Sequence, residues 1–385
     1  MTRALIPSIP ERLDAHTDVT GEGVVMGFVD VGFYPHPDMM RPTRRIKAYG
    51  DATRDTPDGN EFFTAQPYGW HGTMTACSAA GNGYRSGGTY RGIASGSDIV
   101  LIKAGVHGGR VVGKHVAHAI RFPLRFPELK IQILNVSLGV DPDDPDFDEV
   151  ERAADEVVRH GVTLFAAAGN SPGRAVGAPG AASCAITVGG MTDRFSPGAE
   201  ENKLWPSSFG QTRHGVHKPD LLAPAIWLPA PMLPGTLTAR EAQPLFQLLS
   251  VLEEMSAEHG FSERNQLSTP EERAQIGELM RVVEGRIGRQ KYISTDYQHV
   301  DGTSFASPIA ASVAAQMLEV APGLTSLDIR RGLVETAELL DDVPRHVQGA
   351  GVLKPRRAVD WARGWAAEEA AAKIASDNAQ GPPSV

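Results

Sequence analysis

Three residues far apart in the chain carry groups that cooperate in acyl transfer: Asp30, His71 and Ser304. Each lies in a short motif with small neighbours: Asp30-Val31-Gly32, His71-Gly72-Thr73 and Gly302-Thr303-Ser304-Phe305-Ala306-Ser307-Pro308. A serine hydroxyl is a poor nucleophile until an imidazole takes its proton, and the same imidazole can then protonate the leaving amine. Histidine titrates in the right range for both steps. A buried carboxylate behind it holds the required tautomer and stabilises the imidazolium. A fourth motif, Ala168-Gly169-Asn170, lies between the histidine and the serine. Singly, these motifs are weak: Asp30 reads as a turn former, His71 as a capping or core histidine, Ser304 as an N-cap and Asn170 as a loop turn. Their joint occurrence favours the catalytic reading.

Positioning such groups needs a rigid frame, and the sequence carries one. Gly23 to Asp30 is a short apolar, β-branched run that delivers an acid at its C-terminal end. The runs Ser97 to Lys103, Ile131 to Ser137, Val162 to Ala167 and Cys184 to Val188 repeat the strand signal. Helical patterns lie between several of them, among them Phe147 to His160, with Gly161 as its C-cap. Strands alternating with helices imply a parallel sheet covered on both faces, with the site at the strands' C-terminal ends.

The 385 residues, 41% hydrophobic and 22% charged, suit one large core. A net charge of −9 argues against a nucleic-acid partner, and no run is long and apolar enough to span a membrane. No signal peptide is visible, and the two cysteines, Cys77 and Cys184, make no disulfide framework. A cytoplasmic protein is therefore expected.

The four motifs, in the order Asp, His, Ser, resemble the subtilisin-like serine peptidases, over roughly Gly21 to Val359 apart from one insertion. His36-Pro37-Asp38-Met39, Ser137-Leu138-Gly139 and Leu222-Ala223-Pro224 are similar to the family's framework segments. Tyr90-Arg91-Gly92-Ile93-Ala94 and Ala314 to Glu319 resemble its bacterial intracellular branch. The resemblance implies a three-layer α/β/α domain with a mainly parallel central sheet, and a serine endopeptidase acting through an acyl-enzyme. It makes Asp30, His71 and Ser304 the triad and Asn170 the oxyanion donor, helped by the backbone N–H of Ser304 at a helix start. Ser137, Leu138 and Gly139 would form one wall of the substrate groove and Ala168 and Gly169 another, with Gly177 to Gly180 beside them. Small walls imply an open pocket of broad, apolar preference for protein or peptide substrates. Val31 departs from the family pattern, which more often has a hydroxyl residue there.

No cofactor is expected for the chemistry. Asp38 resembles a position that ligates structural calcium in some relatives, although the partner loop from Gly81 departs from the pattern. The acidic run Asp141 to Glu149 lacks the glycine and terminal glutamate of an EF-hand and reads as a solvated helix N-terminus. Cys77 reads as a buried structural thiol and Cys184 as strand core.

The segment from Leu237 to Ile287 breaks the strand–helix rhythm. Leu245, Leu248, Leu249, Leu252 and Met255 recur at helical spacing, and Thr269-Pro270-Glu271-Glu272 opens a second helix that carries Ile276, Leu279, Met280, Val283 and Ile287. The expected organisation is an N-terminal extension 1–20, a peptidase domain 21–365 with a helical hairpin at about 234–290, and a C-terminal tail 366–385. The hairpin is expected to start and end near the active-site face, as a lid, an exosite or a peripheral ornament. Competing readings are a pseudo-peptidase that binds peptides without cutting and a maturase dedicated to one partner.

Overall fold

Asp30 ends the central strand of the molecule. In the computed structural model, which describes residues 6–54, 62–193, 195, 201–261 and 269–379, the apolar run before it forms β1 (Val25–Asp30). Further strands are β2 (Ile46–Asp51), β3 (Asp98–Lys103), β4 (Ile133–Val136), β5 (Thr163–Ala167), β6 (Ile186–Thr192) and β7 (Leu221–Pro224). They pair in the order β7-β6-β5-β4-β1-β3-β2, every pairing parallel. A two-residue strand, Lys203–Leu204, adds antiparallel to β6. The chain runs from β1 outward through β2 and β3, then crosses to β4 on the other side of β1. Asp30 thus lies at a topological switch point, where open α/β sheets build their sites.

Both faces of the sheet are covered. On one lie α3 (Trp70–Ala80) and α8 (Thr303–Val320), whose Ala76, Ala306 and Ala310 pack with Phe28, Leu101, Ile133 and Phe165. On the other, α4 (Gly113–Ile120) and α5 (Phe147–Arg159) set Val116 and Val150 against Val29, Ile102 and Leu134. Successive strand residues point to opposite faces, so the alternate residues of β1 feed the two cores. Small residues nearly all round α8 let it sink between sheet and surface, as expected of a helix apolar on every side. This is the three-layer α/β/α arrangement with a mainly parallel sheet that the resemblance implies. The strand β2 carried no clear sequence signal, because it is an edge strand whose Lys47 is exposed and which ends in a charged residue. Cys184 falls just before β6, partly exposed, because the strand begins two residues later than the apolar run suggests.

The insertion is helical. Helices α6 (Leu237–Phe261) and α7 (Pro270–Arg289) form a hairpin, with the Thr269–Glu272 capping box closed in both directions. Leu249, Leu252, Val283 and Ile287 are buried, whereas Leu248, Met255 and Leu279 stay exposed. The hairpin is carried by an antiparallel ribbon, β8 (Leu228–Pro231) with β9 (Tyr297–Val300). Leu228 pairs with Val300 at the end nearer Gly302, and Pro231 with Tyr297 at the end nearer the hairpin. Three strand steps separate these ends, roughly 10 Å. The hairpin therefore leaves the body one ribbon length from Ser304.

Segments toward both ends of the described chain pack on the body. Helix α1 (Ile9–Arg12) presents Arg12 to Asp193 in a buried two-pronged ion pair of 2.6 and 2.9 Å. One carboxylate oxygen of Glu319, near the end of α8, accepts the N–H groups of Thr20, Gly21 and Glu22. The stretch from Ala366, expected as a tail, instead continues the last helix, α10 (Pro355–Ala379), which packs with α9 (Ser326–Thr336). Its run of alanines and glutamates has high helix propensity and no breaker before Ala379. Residues 1–5 and 380–385 lie outside the described residues.

Candidate active site

Asp30 at the end of β1 and His71 in the first turn of α3 meet directly. His71 Nδ1 lies 2.9 Å from each carboxylate oxygen of Asp30. Asp30 is 1% exposed and the His71 side chain 23%, so the acid is sealed while the imidazole remains reachable. Two further donors face the carboxylate: Val31 N–H at 2.7 Å and the Thr75 hydroxyl at 3.2 Å. At the departure from the family pattern, Val31, it is the backbone N–H that serves the carboxylate. Gly72 permits this approach, since a Cβ there would stand 2.3 Å from Gly32 O and 2.8 Å from Asp30 Cβ.

Burial works to lower the His71 pKa, but the charge of Asp30 and its hydrogen bond outweigh it, and the net shift is upward from 6.5. A general base must be neutral, so with His71 in that role activity would be lost as it protonates. The acid limb of kcat/KM is therefore expected to have its midpoint above pH 6.5. A pH–rate profile checks this, and a midpoint at or below that value contradicts it.

Ser304 lies in the first turn of α8, one residue inside Thr303, so the helix is capped by Gly302 and not by the serine. Its Oγ donates to Ser137 O at 3.3 Å, and the ring of the next residue, Phe305, lies 5.6 Å from the imidazole. First-turn N–H groups of a helix have no intrahelical acceptor, which leaves that of Ser304 available to an anion. Asn170 follows β5 and reaches the same place. Its Oδ1 accepts both Thr303 N–H at 2.9 Å and the Thr303 hydroxyl at 2.8 Å. Only the amide oxygen can accept twice, so the NH2 end is turned away and remains free to donate. Gly302 adopts φ +127° and a Cβ on it would stand 3.3 Å from Asn170 Nδ2, so a side chain there would be strained and crowded.

Ser137, Leu138, Gly139, Ala168, Gly169, Asn170 and Ser304 all line one cleft of about 230 Å³, with Gly177, Ala178 and Pro179 opposite. Of the catalytic, oxyanion and groove residues expected from the sequence, Asp30 and His71 alone do not line this cleft. The sequence reading missed the supports. A buried chain of hydrogen bonds runs from Ser307 Oγ to Asn135 Oδ1 (2.7 Å), from Asn135 Nδ2 to Ser137 Oγ (2.8 Å) and from Ser137 Oγ to Ser304 O (2.8 Å). Signals existed: Thr75 is one helical turn after His71, Ser307 one turn after Ser304, and Asn135 shares a strand face with Ser137. Losing a preorganised side-chain donor costs about 10²–10³ in kcat. Asn170→Ala is expected to fall by that factor with little change in KM, and steady-state kinetics on a peptide amide would expose a smaller loss.

The subtilase family model matches residues 21–351. The chain belongs to the subtilase family. It is similar to Serine protease AprX of Bacillus subtilis, 27% identical over 353 residues, which covers 89% of this chain and 67% of that protein. It is 28% identical to Tripeptidyl-peptidase 2 of Caenorhabditis elegans over 314 residues, 78% of this chain but 19% of the relative. A third similarity, 28% over 154 residues, is to the Major intracellular serine protease of Bacillus subtilis and covers 40% and 44%. This subtilase is a serine endopeptidase that acts on peptide bonds of proteins or peptides, with no cofactor in the chemistry. Among the described residues no helix is long and apolar enough to cross a membrane.

A calcium ion at Asp38 would need several hard oxygen donors converging on it. The carboxylate instead accepts Arg85 N–H at 3.0 Å and the Tyr297 hydroxyl at 2.5 Å. In the loop after α3, Asn82 Oδ1 accepts Tyr84 N–H and its Nδ2 donates to Arg41 O. The other potential ligands beside Asp38 are a nitrogen, on His36, and a sulfur, on Cys77. That set does not fit calcium. In the acidic run, Asp148 and Glu149 sit in the first turn of α5, and Glu149 is tied to Arg121 and Arg152.

Proposed function

We propose that this subtilase cuts peptide bonds with Ser304 as nucleophile, His71 as general base and Asp30 as the group that orients and charges the imidazole. The observation that carries the reading is the placement of His71 Nδ1 at 2.9 Å from both oxygens of a sealed carboxylate. That contact puts the Nδ1 proton toward Asp30 and leaves Nε2 to take the Ser304 proton. The hydroxyl oxygen then attacks the scissile carbonyl. The carbonyl oxygen gains charge and is met by the Asn170 NH2 group and the N–H of Ser304. His71 returns the proton to the leaving amine, and a water molecule repeats the sequence on the acyl-enzyme.

Substrate lies along Ser137 to Gly139 and Ala168 to Gly169, paired as an added strand, with its side chain in the cleft between them. The small walls favour broad specificity. The proposed partners are proteins and peptides and not nucleic acid, in keeping with the net charge of −9. We place the enzyme in the cytoplasm, which fits two unpaired cysteines and a relative whose name says intracellular. The peptidase domain is taken as 21–365 and the hairpin, about 234–290, is assigned no part in the chemistry. A non-cleaving peptide binder would have no use for all four side chains in this arrangement.

The test is incubation of the purified protein with casein, with and without a serine-directed fluorophosphonate. Cleavage that the label abolishes supports the reading. Cleavage that survives full labelling, or none in any buffer between neutral and alkaline pH, counts against it.

A further inference from the structure

Away from the cleft, three side chains from two parts of the chain converge in the interior: His36, Asp38 and Cys77. His36 caps α2 (Pro37–Met40), Asp38 lies within that helix, and Cys77 is in α3, six residues after His71. All three are at most 2% exposed, and one ligand atom of each lies within 4.8 Å of the other two. We propose that this cluster is a binding site for a zinc-like divalent cation, held by His36 Nδ1, an oxygen of Asp38 and the sulfur of Cys77.

The spacing suits the chemistry. Two ligand atoms each about 2.0–2.1 Å from a tetrahedral zinc stand about 3.4 Å apart, and His36 Nδ1 is 3.5 Å from Asp38 Oδ1. Donors of mixed nitrogen, oxygen and sulfur character select zinc and its neighbours over calcium or magnesium. Asp38 has lone pairs to spare, since an ionised carboxylate offers about four and the hydrogen bonds from Arg85 and Tyr297 use two. His36 Nδ1 accepts the Asp38 N–H at 3.2 Å, so Nδ1 is unprotonated and carries a lone pair. The ion takes that lone pair in place of the N–H. Burial lowers the pKa of His36 and holds the ring neutral, as a ligand must be. The thiol, raised well above its usual value by burial and the Asp38 charge, gives up its proton to solvent as the sulfur–metal bond forms. A way in exists: His36 also lines a cleft of about 380 Å³ under the hairpin, bordered by Arg85, Arg240 and Asp296.

Such an ion would join α2 to α3, which begins at the catalytic end with His71, and through the Asp38–Tyr297 bond to β9, which leads to Ser304. It would brace the site without entering the reaction. The inference does not depend on the triad assignment.

Cobalt is the probe, because a cobalt–thiolate bond gives a charge-transfer absorption that oxygen and nitrogen ligands do not. The full-length Ser304→Ala protein, stripped with a chelator and titrated with Co²⁺, should bind one equivalent with that band. Zinc should displace it and raise the unfolding temperature. Cys77→Ala should abolish the band, and Cys184→Ala should leave it unchanged. His36→Asn keeps an N-cap acceptor and should weaken binding at least about tenfold, given that even outer partners of metal ligands are worth that much. It also carries the test if Cys77→Ala fails to fold. Cobalt bound without a thiolate band, a band that survives Cys77→Ala, or unchanged affinity in His36→Asn would each overturn the proposal.

Discussion

Ser304→Ala and His71→Ala are each expected to lower kcat by about 10⁶-fold, the scale established for subtilisin, a member of this family. The reason is cooperative. Without the hydroxyl there is no acyl-enzyme, and without the imidazole the hydroxyl keeps its proton, so either loss removes the whole path. What survives is the contribution of the cleft and the oxyanion donors, about 10³–10⁴ over water. The fold should tolerate both changes. Ser304 Oγ makes one long contact of 3.3 Å and His71 is partly exposed, so neither substitution opens a large cavity in a core. The double variant is expected to be no slower than either single one, because groups that act as a unit are not additive. Kinetics on a peptide amide, with circular dichroism to verify folding, make the comparison. A loss below about a hundredfold in Ser304→Ala would assign the nucleophile elsewhere.

Asp30→Asn is expected to lower kcat by about 10⁴-fold at neutral pH. The amide nearly matches the carboxylate in shape, and the Val31 N–H, which donates to Oδ1, would hold the amide oxygen there, so that the NH2 group takes the place of Oδ2, beside the Thr75 hydroxyl. Its NH2 end, however, would then face His71 Nδ1 as a donor, forcing the imidazole into the tautomer with its proton on Nε2. That tautomer cannot take a proton from Ser304. The same variant moves the acid limb. Asp30 is what raises the His71 pKa against burial, so with the charge gone burial prevails and the limb shifts to lower pH. The pair of readouts separates this role from mere packing, because a structural defect would lower activity without moving the limb downward. An unshifted limb would mean that Asp30 does not govern the imidazole.

Much of the frame was legible because its signals are local. The runs ending in Asp30, Lys103 and Ala167 are apolar and β-branched, and nothing but a buried parallel strand uses such runs with helices between. Gly161, at φ +89°, closes α5 as its position suggested. The capping box at Thr269 likewise marked α7 within its own four residues. What stayed hidden depends on distance in sequence. The strand β2 is polar and at an edge, so its pairing with β3 is visible only in space. The offset of the hairpin from the serine follows from the β8–β9 register, which no spacing of motifs encodes. At the site, the motifs named the reacting groups but not their supports. Asn135 and Ser307 are 172 positions apart and look like ordinary polar residues until the sheet brings them together. The convergence of His36, Asp38 and Cys77 is of the same kind: α2 and α3 supply them, and only the packing of the two helices reveals the cluster.

The most direct test of the account is the identity of the atom that is acylated. The native enzyme would be labelled to completion with a fluorophosphonate, digested, and the modified residue located by tandem mass spectrometry. The account predicts one adduct, on Ser304, with loss of activity in proportion to labelling and no adduct in His71→Ala under the same conditions. An adduct on any other serine accompanied by loss of activity, or full activity with Ser304 labelled, would contradict it.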